Sequence, residues 1–164
     1  MTQMSDTAEE VTRAQLRRGL RIAALLVAVA AGLGLGLANL LGHMDTHVSP
    51  LTQLIAFVAL GVVLAGEATL LVRDRSWGRL RRSAIAVVLA ASALSYTTLP
   101  EGRTSTGVDW IFGAANWVGL VVLLDRPLRT AASFLVAHGL VALLNLILLD
   151  DPSRGIWPGS PPAR

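Results

Sequence analysis

Cysteine is absent from the chain. Disulfides, thiolate metal sites and a cysteine nucleophile are excluded with it, and nothing about redox compartment follows. Lysine is absent too, because all 14 basic residues are arginine. Charge of either sign is scarce, at 15% of the 164 residues, where soluble domains carry about 25%. Aromatic residues make up 5%. They do not interleave with the arginines to form a base-stacking basic surface, so the net charge of +3 does not point to nucleic acid.

What is present is hydrocarbon. Hydrophobic residues are 53% of the chain, the mean hydropathy is +0.58, and the charges lie between apolar runs instead of alternating with them. Five runs stand out: 22–41, 51–72, 84–99, 108–124 and 130–149. At 1.5 Å per residue they extend roughly 24 to 33 Å, close to the hydrocarbon thickness of a bilayer. In lipid every backbone amide must pair within its own segment, so each run is expected to be helical. The runs are too long for barrel strands. The expected fold is an all-α integral membrane protein, a bundle of about five transmembrane helices. The arginine-only basic set and the dominance of Ala, Gly, Leu and Val point to a G+C-rich bacterial coding sequence, and hence to the inner (plasma) membrane.

Three divisions follow. Residues 1–21 read as a cytoplasmic amphipathic segment, with Thr7 and Glu10 spaced as a capping box and Val11, Leu16 and Leu20 interleaved with Arg13, Arg17, Arg18 and Arg21. Residues 22–149 are the transmembrane domain, and 150–164 form an irregular tail containing Pro152, Pro158, Pro161 and Pro162. The first run exceeds the core of about 7–15 residues typical of a signal peptide, and further runs follow it.

Arginine asymmetry orients the chain. Arg13, Arg17, Arg18, Arg21, Arg73, Arg75, Arg79, Arg81, Arg82, Arg126 and Arg129 fall on one side, against Arg103, Arg154 and Arg164 on the other. Basic loops stay in the cytoplasm. The N-terminus is therefore expected inside and, after five crossings, the C-terminus outside. Arg73, Arg75, Arg79, Arg81 and Arg82 set this topology and are suited to anionic headgroups, with Trp77 at the interface.

Polar residues inside apolar runs are the candidate sites. Glu67 either reaches the interface near Arg73 or Arg75, or forms a proton or cation site within the bundle. A tight turn joins the fourth and fifth runs, which puts Asn116 and His138 at similar depth. They are expected to hydrogen-bond as a structural tie or, if His138 titrates, to report pH. Asn145 lies further along the same helix. His43, Asp45 and His47 carry ligand types that suit zinc or copper, but three ligands without a fourth also describe a solvated loop. Glu101, Asp109, Asp150 and Asp151 on that side form either a sensing surface or scattered loop charges. Trp110 and Trp157 suit the outer interface, and Trp117 is expected to pack between helices. Ala28, Gly32 and Gly36, Gly61 and Ala65, and Ala115 and Gly119 repeat at a spacing that lets helices approach closely. Gly32, Gly34 and Gly36 lie inside an apolar run with no Lys-Ser/Thr after them, which excludes a phosphate loop.

The stretch from Trp110 to Asp150 contains a Trp- and Gly-bearing helix, the turn Leu124-Asp125-Arg126-Pro127-Leu128 and the segment Phe134-Leu135-Val136-Ala137-His138. It resembles the multi-helix membrane region of actinobacterial sensor histidine kinases and related ATP-binding signalling proteins, over about a quarter of the chain. The kinase core has no counterpart here, so no catalytic residue carries over. The resemblance implies signal input. With no Ser-His-Asp order, HExxH motif or paired intramembrane acids in the sequence, the expected role is a sensory or accessory module without cofactor or enzymatic activity, acting through a membrane partner or a homo-oligomer. The alternative is a small transporter or channel component with Glu67, Asn116 and His138 along a polar path.

Overall fold

A computed structural model describes residues 2–44, 49–98 and 110–149. Among these residues all regular structure is helical. Helix α1, Thr2–Val27, passes without a break into a π-helical stretch, Ala28–Gly34, and then into α2, Leu35–Gly42. Helix α3 is Pro50–Val72, α4 is Arg81–Tyr96, α5 is Trp110–Leu123 and α6 is Leu128–Leu149.

Local chemistry sets several of these boundaries. Ser49 caps α3, its hydroxyl accepting from the amide of Thr52, and Pro50 fills the first turn, where no amide partner is lost. At the other end Asp74 takes a left-handed conformation (φ 52°), and Arg75 N–H donates back to Leu70 O at 2.8 Å. This satisfies a carbonyl that the helix end leaves open. Gly78 (φ 50°) makes the second bend, where a side chain would be strained. A short 3-10 turn, Gly78–Leu80, then leads into α4. Helix α4 starts three residues before its apolar run because Arg81 is held by Asp125 at 2.8 Å.

Three helices are long and apolar enough to cross a membrane: Val11–Gly42, Pro50–Val72 and Leu128–Asn145. Helices α4 and α5, with 16 and 14 residues, rise only about 24 and 21 Å. Their apolar runs were expected to reach Leu99 and to begin at Val108, both outside the described residues. The N-terminal segment, expected as a separate short amphipathic helix, is continuous with the first apolar helix. Residues 11–20 are exposed on every side.

The bundle is built around α5, which packs against every other helix. Its buried residues include Ile111, Ala114, Ala115, Val118 and Val122. Small side chains on two faces let neighbours come close. Helix α6 lies at the periphery against α4 and α5. The outward faces carry large apolar side chains such as Leu26, Leu35, Val62 and Leu144. An apolar belt of this kind is what lipid contact requires and is rare on soluble monomers. The chain runs up and down, so Arg21, Arg75, Arg81 and Asp125 gather at one end, the basic end. Gln53, Ser95, Thr98 and Trp110 gather at the other.

Candidate functional site: three buried polar junctions and a basic cavity

The first junction is at the basic end. Glu67 is almost fully buried, and both of its oxygens are engaged. Arg21 Nη2 donates to Oε1 at 2.7 Å and Trp77 Nε1 donates to Oε2 at 2.6 Å. Its ion-pair partner is thus Arg21 of the first helix, and Arg73 and Arg75, near which it was expected to reach the interface, make no ion pair with it among the described residues. The Arg21 guanidinium also lies 3.4 Å from the backbone oxygen of Arg75. The loop bends Trp77 back beneath α3, where Gly66 leaves room: a Cβ there would lie 2.6 Å from Trp77 Cη2. Trp77, expected at the lipid interface, is therefore half-buried and closes the junction from below.

The second junction is mid-bundle. His138 is fully buried. Its Nδ1 lies 2.7 Å from Asn116 Oδ1 and its Nε2 lies 2.6 Å from Ser92 Oγ. With the amide oxygen facing Nδ1, the ring donates to Asn116 and accepts from the Ser92 hydroxyl, so a neutral imidazole is satisfied at both nitrogens. The rings of Phe112 and Phe134 stack on it with centroids 5.1 and 6.0 Å away. One histidine thereby ties α4, α5 and α6. Asn145 takes no part, since its Nδ2 donates to Val141 O within its own helix.

The third junction lies at the opposite end and centres on Gln53, fully buried in the first turn of α3. Its Nε2 donates to Ser95 O and Thr98 Oγ1, both at 2.9 Å. Its Oε1 accepts from Ser95 Oγ at 2.6 Å and Trp110 Nε1 at 2.9 Å. Sequence reasoning passed over Gln53 because a polar residue three positions after a helix-starting proline reads as part of a helix end. The available signal was Ser95 and Thr98, spaced i and i+3 at the close of an apolar run, which present hydroxyls on one face. Trp110, expected at the outer interface, is buried by this contact. Trp117, expected between helices, is exposed on the outer face of α5.

At the basic end a cavity of about 1000 Å³ opens between α4 and α6. Arg79, Arg81, Arg82, Arg126 and Arg129 line it. Three of these were expected to touch headgroups as one loop. The structure adds Arg126 from the α5–α6 turn and Arg129 from the start of α6, which only tertiary packing brings alongside. Arg73 and Arg75 do not line the cavity.

Glu67 and His138 stand at different depths with separate partners; neither lines the cavity, although Phe134, stacked on His138, forms part of its wall. Just past the end of α2, His43 Nδ1 lies 3.0 Å from Asn39 O. Asp45 and His47 lie outside the described residues, as do Glu101, Asp109, Asp150, Asp151 and Trp157. Comparison of the chain with protein-family models, curated proteins and solved structures finds no match.

Proposed function

We propose that this chain is a five-crossing module of a bacterial plasma membrane, N-terminus inside and C-terminus outside, that passes a signal to a partner protein through its first helix. One observation carries the reading. The first helix is a single rod whose inner half is packed into the bundle and whose residues 11–20 are exposed on every side. Ala28, Gly32 and Gly36 seat the packed half. A Cβ on Gly32 would lie 3.6 Å from the Ala114 backbone, and one on Gly36 would lie 3.2 Å from the Trp110 ring. The wider π-helical turn coincides with this seat, and such turns are frequent at functional positions. A change in how α5 meets the rod therefore displaces the projecting part as a lever, with no hinge to absorb it. The resemblance of the 110–150 region to sensor-kinase membrane regions points the same way. So do the hydrogen bonds of Asn116 and His138, which are spent between helices instead of along a path.

Photo-cross-linking in cells tests this. A benzophenone residue at Leu16, on the projecting part, is expected to give one discrete protein adduct, and the yield should change by several-fold in a Gly32→Ile background. The same probe at Leu35, also exposed but at the other end, should react only with lipid. The proposal is overturned if Leu16 gives no protein adduct, or if its yield is indifferent to Gly32→Ile.

A further inference from the structure

The cavity at the basic end combines two chemistries. Arg79, Arg81, Arg82, Arg126 and Arg129 line its basic end. Among the described residues the only carboxylate paired with any of them is Asp125, with Arg81. Four positive charges therefore converge there without a counter-ion. Deeper in, the wall is Ile85, Leu89, Phe134 and Ala137. From Arg81 to Leu89 on α4, and from Arg129 to Ala137 on α6, the lining descends eight residues, or about 12 Å. Its volume is at the upper end of the ~300–1000 Å³ typical of ligand sites.

Arg81 supplies an independent observation. It is 7% exposed, and only its Nη2 has a partner; Nε and Nη1 are buried without one. Unsatisfied donors on a buried cation are rare in proteins, because nothing repays their lost hydration. An anion in the cavity that Arg81 lines would reach them once the guanidinium turns toward it.

We infer that this cavity binds one anionic phospholipid, its phosphate among the arginines and an acyl chain along the apolar wall between α4 and α6. A free phosphate would satisfy the arginines but leave the descending apolar wall unexplained. A zwitterionic lipid would bring its own cation against the uncompensated arginines. Basic pockets between membrane helices on the cytoplasmic side are the expected place for such headgroups. The inference rests on reading the basic end as a membrane interface, but not on the lever or its partner.

Native mass spectrometry of the whole protein in detergent is the test, with phosphatidylglycerol or phosphatidylcholine added at equal concentration. Wild type is expected to retain phosphatidylglycerol at least tenfold more strongly. Arg126→Gln/Arg129→Gln alters exposed side chains only and should fall to the phosphatidylcholine level. Ala137→Trp fills the apolar wall, leaves every arginine in place, and should weaken retention several-fold. Millimolar inorganic phosphate should not displace the lipid. Equal retention of the two lipids by wild type overturns the inference, as does unchanged selectivity in the double variant. Displacement by phosphate together with indifference to Ala137→Trp reassigns the site to a free anion and overturns it equally. Because the measurement needs no partner, its failure leaves the lever standing, and a failed cross-linking experiment leaves this site standing.

Discussion

Single polar residues do much of the specifying in this bundle, because in a lipid-facing protein the apolar side chains gain little by choosing one neighbour over another. Gln53 engages three other side chains: Ser95, Thr98 and Trp110. Gln53→Leu keeps the bulk but strands these groups, and is expected to cost about 2 kcal/mol, within the range for buried groups left unpaired. Unfolding in mixed micelles would measure it, and a loss below a few tenths of a kcal/mol would show that the junction contributes nothing. Glu67 makes a different case. Its two oxygens face a cation and an indole, so Glu67→Gln retains one acceptor whereas Glu67→Ala retains none. Glu67→Ala should be the less stable of the two. Because both oxygens are already engaged, proteoliposomes of wild type and Glu67→Gln should show equal proton flux. Flux that the amide abolishes would restore a transport role. Glu67 was legible as an anomaly in the sequence, but its partner was not: Arg21 is 46 positions away, whereas the nearby Arg73 and Arg75 marked only the interface that it was expected to reach.

At the scale of helices, the question is which small-residue stripe is an interface. Ala28–Gly32–Gly36 and Ala115–Gly119 are; Gly61–Ala65 is not. A Cβ on Gly119 would run into the Phe134 ring, whereas at Gly61 it would meet nothing within 4 Å. The three stripes are indistinguishable in sequence because composition and spacing are alike, and only the identity of the facing helix separates them. Gly119→Ala must displace Phe134, and with it the ring stacked on His138, at an expected cost of about 1–3 kcal/mol, as overpacking generally does. Gly61→Ala should be neutral or gain up to about 1 kcal/mol from helix propensity. Thermal unfolding of both variants in one detergent gives the comparison, and a Gly61 loss as large as that at Gly119 would mean that α3 carries an interface this arrangement lacks. The first helix shows a related effect. Its polar and apolar halves read as separate segments, since the hydropathy changes abruptly at Ile22. The backbone hydrogen-bond ladder does not respond to hydropathy, and it runs through.

For the whole molecule, topology is the decisive property. The lack of native cysteine makes single-cysteine labelling clean. Ser76→Cys should react with an impermeant maleimide only after cells are opened, and Ser160→Cys should react in intact cells. If both are protected, the C-terminus is inside and the number of crossings is even. The amino-acid sequence by itself determined that this protein is helical, that it is apolar enough for a bilayer, which end is basic, and that Asn116 and His138 lie at the same depth. These follow from run length, hydrogen-bond satisfaction in lipid and a tight turn, all of which act locally along the chain. Tertiary structure alone decided that α5 lies at the centre, that Arg21 answers Glu67, that Trp110 turns inward and Trp117 outward, and that arginines from two loops meet around one cavity. The physical reason is that hydropathy marks a residue as lipid-compatible without distinguishing lipid from a neighbouring helix. That distinction rests on close packing and on polar partners tens of residues apart.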